Sequence, residues 1–316
     1  MSKVLVFREL PRDQLARIQA QHDVLIANPR KGPGQKAAFD AALPAAEGLI
    51  GSSYAITPAL LDQAPRLKVI STISVGVDNY PIAELRQRGI TLCHTPGVLT
   101  ETTADTVFAL IMAASRRIVE LANHVREGRW DRNIGEDLFG WDVHGKTLGI
   151  LGFGRIGQAV ARRAALGFGM RVIYHNPRPV DLPYAVHRPL DAVLAESDIV
   201  AATLPLNDKT RGLMGVREFE LMKQGAIFVN GGRGATVQEP ALLAALDSGH
   251  LRAAALDVFA TEPLPLDSPL RQHPRVTALP HIGSATYETR QAMAELATTN
   301  LLQALAGERP SAVYAG

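Results

Sequence analysis

The sequence predicts an α/β protein made of two doubly wound parallel-sheet domains. Short apolar runs rich in β-branched residues alternate with helical patterns along the whole chain, as expected for βαβ units. The length of 316 residues exceeds what one hydrophobic core usually supports. A composition that is 47% apolar and 20% charged is typical of a globular protein. We therefore expect two α/β domains with a ligand cleft between them.

The first α/β region covers about the first hundred residues and contains four strand-like runs. They lie at residues 4–7, 48–50, 69–72 and 90–92. A helix is predicted over residues 57–64, because Thr57 suits the N-cap and Pro58 the first helical position. A long helical pattern, apolar in steps of three and four, follows over residues 101–128 and is expected to stop at Gly128.

A second alternating series begins at Lys146 and has enough strands for a six-stranded doubly wound sheet. Its strand-like runs lie at residues 146–151, 171–174, 199–203, 226–230, 253–257 and 275–278. Its helices are predicted to run to residue 165 after the first strand and then over residues 191–195, 216–222 and 240–248. A last helix is predicted over residues 286–305.

A glycine-rich turn links the first strand of this series to its helix. Residues 152–157 read Gly-Phe-Gly-Arg-Ile-Gly, the G-x-G-x-x-G spacing of dinucleotide-binding proteins. In that context Gly152 permits the tight turn, Gly154 lets the backbone approach a pyrophosphate, and Gly157 lets helix and strand pack closely. Arg155 and Ile156 begin the helix, whose free N–H groups favour an anion.

The end of the next strand indicates which dinucleotide is bound. An NAD site usually has an acidic residue about 20 residues beyond the glycines, which accepts hydrogen bonds from the ribose hydroxyls. This chain has Asn176 and Arg178 there, and they can bind the 2′-phosphate of NADP. NADPH is therefore the expected cofactor, with NADH used at lower efficiency. Asp181 is the alternative ribose ligand if the register is shifted.

Three later segments place polar residues directly after apolar strands. Arg233, Glu262 and His281 are the candidate catalytic residues, because strand ends line the ligand crevice of an open parallel sheet. Histidine suits proton donation near neutral pH, glutamate can orient and charge it, and arginine can pair with a carboxylate. These three side chains could therefore converge on one small volume beside a nicotinamide ring.

These segments, together with three further runs, resemble the D-isomer-specific 2-hydroxyacid dehydrogenase family over essentially the whole chain. The runs lie at residues 71–79, 98–106 and 142–150 and look most like the bacterial glyoxylate/hydroxypyruvate reductase and 2-ketogluconate reductase branch. The resemblance implies a Rossmann dinucleotide-binding domain at residues 100–285 and a smaller flavodoxin-like substrate domain at residues 1–99 and 286–316. It also implies hinges near residues 98–100 and 284–286, and a homodimer formed through residues 101–128.

The resemblance also assigns roles to individual residues. His281 is implied to be the general acid, Glu262 its partner and Arg233 the substrate clamp, with His281 and Arg233 also touching the cofactor. The backbone N–H groups of Val75 and Gly76 are implied to bind the substrate carboxylate. Further cofactor contacts are implied at Thr103, Leu204, Gly232, Asp257 and Gly283, of which Asp257 faces the nicotinamide carboxamide.

Charge and cysteine content indicate which binding partners and which compartment to expect. A net charge of +2 gives no footprint for nucleic acid or an anionic membrane. The single cysteine, Cys93, suits a reducing compartment, and neither cysteine nor histidine spacing indicates a metal site. We predict a cytoplasmic reductase of glyoxylate, hydroxypyruvate or 2-keto-D-gluconate. The alternatives are an NAD-dependent dehydrogenase of other substrates and a non-catalytic protein that senses dinucleotides.

Overall fold

The computed structural model describes residues 1–315. The described chain forms two compact units: Met1–Leu99 together with the residues from Ser284 onward, and Thr100–Gly283. Each unit holds one parallel sheet flanked by helices, so the predicted fold class is confirmed. Gly316, the last residue of the predicted substrate domain, lies outside the described residues.

The first unit has a five-stranded sheet in the order β2-β1-β3-β4-β5, the flavodoxin-like arrangement. Its elements are β1 (Lys3–Val6), α1 (Arg12–Gln19), β2 (Asp23–Ile26), α2 (Pro33–Ala42), β3 (Gly48–Gly51), α3 (Pro58–Asp62), β4 (Val69–Thr72), α4 (Ile82–Gln87) and β5 (Thr91–Cys93). The four residues of β3 and of β4 are all buried, as expected for central strands of a parallel sheet that is covered on both faces.

The second unit has a seven-stranded sheet in the order β12-β11-β10-β9-β6-β7-β8. Its elements are α5 (Thr100–Arg116), α6 (Ile118–Arg126), β6 (Thr147–Leu151), α7 (Arg155–Arg162), β7 (Arg171–His175), β8 (Ala185–His187), α8 (Leu190–Glu196), β9 (Ile199–Ala202), α9 (Val216–Leu221), β10 (Ala226–Asn230), α10 (Glu239–Asp247), β11 (Leu251–Leu256), α11 (Pro269–Gln272) and β12 (Val276–Ala278). The order in which the chain adds strands reverses between β6 and β9, and ligands bind at such switch points.

The C-terminal helix α12 (Tyr287–Leu305) packs in the first unit against β3 and β4. Ser71 on β4 donates its hydroxyl to the carbonyl of Ala297 at 2.7 Å. The chain after α12 then lies along β5, where Tyr314 N–H donates to Leu92 O at 2.8 Å. Residues from both ends of the chain therefore build one core.

Two strands were missing from the sequence-based prediction. The first unit has β2 as an extra edge strand, and the second unit has β8 at its edge, which makes seven strands where six were predicted. Both are short, and Leu25, Ile26 and Val186 in them are exposed. Edge strands bury too little apolar surface to leave a clear hydrophobic run.

The predicted single helix over residues 101–128 is wrong, because the chain breaks at Arg117. That residue has φ 53° and separates α5 from α6. Its guanidinium bonds the backbone carbonyls of Asp137 and Phe139 and pairs with Glu120 at 2.6 Å. Contacts with a distant loop thus stabilise a left-handed residue that the apolar period of the helix does not reveal.

Within residues 1–315, no helix combines the length and the hydropathy needed to cross a membrane.

Candidate active site

The carboxyl ends of β10, β11 and β12 carry the predicted catalytic residues. These three strands are neighbours and run parallel, so the segments that follow them lie at one edge of the sheet. Arg233 follows β10, Asp257 and Glu262 follow β11, and His281 follows β12. The second unit therefore gathers these residues at one sheet edge, as the sequence predicted from strand ends alone.

His281 and Glu262 form a direct side-chain pair. Nδ1 of the imidazole lies 2.7 Å from Oε2 of the carboxylate. Among the described residues, no group hydrogen-bonds the second ring nitrogen, Nε2, and about 47% of the histidine side chain is exposed. A carboxylate at Nδ1 fixes the ring orientation and leaves Nε2 for a ligand.

The environment of Glu262 keeps it ionised. Burial of the carboxyl opposes its charge, but several interactions outweigh that effect. They are the hydrogen bond to His281, a bond from Phe259 N–H at 3.0 Å, and the positive charges of His281 and Arg233. Together they hold the pKa of Glu262 below its ordinary value. The hydrogen-bond partner of the imidazole is thus a carboxylate anion.

Asp257 holds the backbone that follows His281. Its two carboxylate oxygens accept the N–H groups of Ile282 at 2.7 Å and Gly283 at 2.8 Å. His281 has φ 54°, and the left-handed region costs a non-glycine residue about 1–3 kcal/mol. Burial raises the pKa of Asp257, although these two bonds and the His281 charge oppose the rise. Asp257 therefore stabilises the strained turn that presents the imidazole.

Arg233 begins a short 3-10 turn after β10 and is half-buried. The segment is fixed from both sides, because Asn230 and Thr236 donate their side chains to the Arg233 carbonyl at 3.1 and 2.6 Å. One guanidinium nitrogen donates to Gly232 O at 2.9 Å. The positive charge of Arg233 also contributes to the lowered pKa of Glu262.

The glycine turn joins β6 to α7, and its glycines differ in how much room they leave for a side chain. Gly152 has φ 87°. A side chain at Gly157 would overlap the Gly152 carbonyl oxygen, so helix and turn touch there. Gly154 differs, because a Cβ built on it meets nothing within 4 Å and the residue is exposed. The turn is closed towards the protein and open at Gly154, which fits the approach of a pyrophosphate.

Asn176 follows β7 directly and lies against this turn. Its Oδ1 accepts Phe153 N–H at 3.1 Å, and its Nδ2 donates to the Arg178 carbonyl at 2.7 Å. Arg178 itself is exposed, and in the described chain its guanidinium has no hydrogen-bond partner. Asp181 is also exposed and lies further along the connection to β8. The register of β7 thus puts Asn176, not Asp181, beside the glycines.

The other residues implied as cofactor contacts form two groups in the second unit. A Cβ built on Gly283 would lie 3.2 Å from the Thr103 side chain and 3.1 Å from Asp257 Oδ2. A Cβ on Gly232 would lie 2.7 Å from the Leu204 carbonyl. The structure also begins α7 at Arg155, which is exposed, and continues with half-buried Ile156.

Val75 and Gly76 lie in the first unit, on the turn that follows β4. Gly76 N–H donates to Ser74 Oγ at 3.2 Å, and the Val75 carbonyl meets His94 Nδ1 at 3.2 Å. Both residues are half-buried. A carboxylate at this turn would compete with the Ser74 hydroxyl for the Gly76 N–H.

Two residues in these turns were missed by the sequence interpretation. Thr203 donates its hydroxyl to the Gly152 carbonyl at 2.6 Å, and Ser74 caps the Gly76 turn. Each stands within two residues of a buried strand's carboxyl end, and that position was the available signal. Within residues 1–315, no cluster of three or more His, Cys, Asp or Glu could hold a metal ion.

The chain is similar in sequence to a known protein family and to a named relative. The family model described as D-isomer specific 2-hydroxyacid dehydrogenase, NAD binding domain, matches residues 108–283. The glyoxylate/hydroxypyruvate reductase B of Citrobacter koseri is 48% identical over 309 residues, which is 96% of this chain and 95% of that protein.

Two solved structures are similar over nearly all of the chain. A protein from Thermus thermophilus has a TM-score of 0.91 and 45% identity, covering 98% of this chain and 99% of that one. An NADPH-dependent glyoxylate/hydroxypyruvate reductase from Sinorhizobium meliloti, in complex with NADP and malonate, has a TM-score of 0.88 and 28% identity, covering 99% and 97%.

Proposed function

The chain belongs to the D-isomer-specific 2-hydroxyacid dehydrogenase family, and we propose that it reduces glyoxylate or hydroxypyruvate to the D-2-hydroxy acid with NADPH. It is thus an oxidoreductase, and the finer assignment concerns substrate, cofactor and proton donor. The single observation that carries the assignment is the His281–Glu262 pair, whose 2.7 Å hydrogen bond leaves Nε2 available.

We assign the general acid to His281. When bound, NADPH would supply a hydride to the carbonyl carbon of the substrate, so the carbonyl oxygen would need a proton. The ionised Glu262 favours the imidazolium at Nδ1, and Nε2 then holds the proton that the oxygen accepts. Asn230 and Thr236 hold the backbone carbonyl of Arg233, and we assign its guanidinium to the substrate carboxylate, where it would also polarise the substrate carbonyl.

We also propose that the turn after β4 in the first unit binds a carboxylate. The N–H groups of Val75 and Gly76 lie on a half-buried turn, where backbone donors attract an anion. Ser74 shares the Gly76 N–H, and its hydroxyl can itself donate to a bound carboxylate. We therefore include Ser74 with Val75 and Gly76 in the proposed substrate site.

The glycine turn and the loop after β7 support NADPH over NADH as the cofactor. The open face at Gly154 fits a pyrophosphate, and Asn176 stands where an acidic residue would bind the ribose of NAD. Asn176 keeps one amide hydrogen free of its two bonds, and the exposed Arg178 brings a guanidinium to the same loop. A ribose 2′-phosphate would meet donors there and no carboxylate.

Substrate and cofactor are tested together with a panel of 2-oxo acids. Oxidation of NADPH and NADH by glyoxylate, hydroxypyruvate and 2-keto-D-gluconate is followed at the nicotinamide absorbance. The expected result is turnover of glyoxylate or hydroxypyruvate, with a higher kcat/KM for NADPH than for NADH. In Arg178→Gln, kcat/KM for NADPH should fall while kcat/KM for NADH stays unchanged. A higher kcat/KM with NADH would contradict the roles of Asn176 and Arg178. Cofactor binding without any turnover would favour a dinucleotide-sensing protein.

We also propose that the chain forms a homodimer through α6 and the loop after it. Exposed apolar side chains are concentrated in this segment: Ile118, Val119, Val125, Trp130, Ile134, Phe139 and Trp141. Patches of this kind mark interaction surfaces. Light scattering should give twice the chain mass for the wild type and a lower mass for Val125→Glu. A monomeric wild type would refute the dimer. The cytoplasmic location stays a prediction.

A further inference from the structure

Three arginines of the first unit converge at the carboxyl edge of its sheet. Arg8 follows β1, Arg30 follows β2, and Arg290 lies in the first turn of α12. We call these three residues the arginine cluster. Arg8 and Arg290 are half-buried, and burial lowers the pKa of each. Arg8 and Arg30 both hydrogen-bond Ser53, so their guanidiniums lie near one another. The positive charges of Arg290 and Arg30 lower the pKa of Arg8 further.

The cluster is held in place by hydroxyl and carbonyl groups. Arg8 donates from one guanidinium nitrogen to Ser52 Oγ at 2.9 Å and Ser53 Oγ at 2.8 Å. Arg30 donates to the Ser53 carbonyl at 2.9 Å. Ser53 has φ 60°, a strained conformation for a serine that turns its carbonyl and hydroxyl to the two arginines. This organised turn fixes the positions of two of the three cations.

No carboxylate neutralises the cluster within the described residues. Arg8, Arg30 and Arg290 form no ion pair there. Glu9, whose negative charge acts on Arg8, is itself paired with Lys31. Half-buried cations without an acidic partner repel one another, which costs free energy unless an anion binds. Arginine forks are also the side chains best suited to carboxylate and phosphate oxygens.

The position of the cluster relates it to the proposed substrate turn in the same unit. Strands β1, β3 and β4 are neighbours, and the turns after them carry Arg8, Ser52–Ser53 and Val75–Gly76. Ile73 N–H donates to Gly51 O at 2.9 Å, which keeps the last two turns together. Adjacent strands lie about 4.8 Å apart, so β1 and β4 are separated by roughly 10 Å. A short carbon chain can bridge that distance.

We propose that the arginine cluster is a second anion site, which binds a carboxylate or phosphate at the far end of a 2-oxo acid whose own carboxylate lies at Val75 and Gly76. This inference rests on the proposed function and narrows its substrate class. The enzyme then accepts 2-oxo acids that carry a second anionic group in addition to glyoxylate, which is too short to reach the cluster. The Arg8 and Arg30 donors supply fixed hydrogen bonds, and Arg290 supplies further charge.

The test separates this site from the catalytic residues. Malonate and inorganic phosphate are titrated into cofactor-free wild type, Arg30→Gln and Arg290→Gln by calorimetry. These two variants lie on different elements, whereas Arg8→Gln would also disturb the turn at Ser52 and Ser53. Arg66→Gln is the matched control, since it removes one arginine before β4, at the opposite edge of the same sheet.

Loss of a charge-assisted bond should weaken anion binding about tenfold in Arg30→Gln and in Arg290→Gln, with little change in Arg66→Gln. In turnover assays, the ratio of kcat/KM for 2-oxoglutarate or 3-phosphohydroxypyruvate to that for glyoxylate should fall in the same two variants. A fall confined to one of these two substrates identifies the anion as carboxylate or phosphate.

The experiment distinguishes failure of the proposed function from failure of the second anion site. If anion binding is lost in Arg30→Gln but no 2-oxo acid is reduced, the proposed function is wrong and the anion site stands. If glyoxylate is reduced while anion binding and both ratios are unchanged in Arg30→Gln and Arg290→Gln, the second anion site is refuted. Equal losses in Arg66→Gln would indicate a general charge effect and would also refute it.

Discussion

Two turns at the carboxyl edge of the seven-stranded sheet are built by opposite means. The glycine turn after β6 owes its shape to missing side chains, because Gly157 touches the Gly152 carbonyl and Gly154 stays open. The His281 turn after β12 is instead held by side chains, since Asp257 binds two backbone N–H groups and Glu262 binds the ring. We call the second feature the histidine turn.

The two turns are proposed to do different things: the glycine turn binds the cofactor and the histidine turn donates a proton. A glycine turn presents backbone donors to a phosphate and discriminates little between ligands beyond their charge. A turn held by carboxylates fixes one imidazole and sets its charge. Substitutions in the histidine turn should therefore change kcat while leaving cofactor binding intact, and substitutions in the glycine turn should do the reverse.

The largest effect is expected for His281→Ala. Removing a general acid costs about 10²–10⁴-fold, so we expect kcat for glyoxylate reduction to fall by about 10³-fold. Binding of NADPH, measured by quenching of protein fluorescence, should change by no more than about twofold, because the glycine turn is untouched. An unchanged kcat would show that His281 is not the general acid. Loss of NADPH binding would show that the histidine turn also binds the cofactor.

A smaller loss is expected for Glu262→Gln. The amide keeps the shape but does not stabilise an imidazolium, so kcat at neutral pH should fall by about 10–100-fold. The low pKa of Glu262 keeps the carboxylate charged to the acid side, and its protonation should limit wild-type activity only below the ordinary glutamate range. A pH profile of kcat measures this acid limb, and a wild-type limb within the ordinary glutamate range would contradict the lowered pKa. An unchanged kcat in Glu262→Gln would contradict the pairing.

The two glycine variants give the smallest effects on chemistry. Gly154→Ala places a methyl group in open space at negative φ, so the melting temperature should stay unchanged while NADPH binding weakens about tenfold. Gly157→Ala places the methyl group against Gly152 O, and overpacking of this kind costs about 1–3 kcal/mol of stability. Calorimetric melting and fluorescence titration distinguish the two. A Gly154→Ala protein that binds NADPH as tightly as the wild type would show that the open face is not the pyrophosphate site.

The comparison also shows what could be predicted from the sequence. The glycine turn depends on residues within six positions of one another, so its spacing was enough to place it between β6 and α7. The histidine turn needs Asp257, Glu262 and His281 from separate strand ends, and only their positions after apolar runs indicated that they converge. The two hydrogen bonds that Asp257 accepts could not be predicted, because they depend on the left-handed conformation of His281.

Errors in the predicted elements have the same physical origin. The strands β2 and β8 were missed because edge strands expose their side chains. The break at Arg117 was missed because its partners, Asp137 and Phe139, are distant in sequence. The arginine cluster was also invisible, since Arg8, Arg30 and Arg290 come from opposite ends of the chain and have no shared motif.

The central claim is that Glu262 acts on the reaction through His281, and a double-mutant cycle tests it most directly. The value of kcat for glyoxylate reduction is measured at one pH for the wild type, His281→Ala, Glu262→Gln and the double variant, each saturated with NADPH. If the pair works as one proton donor, Glu262→Gln should cause no further loss once His281 is absent. If the two losses multiply in the double variant, the residues act independently and the claim is wrong.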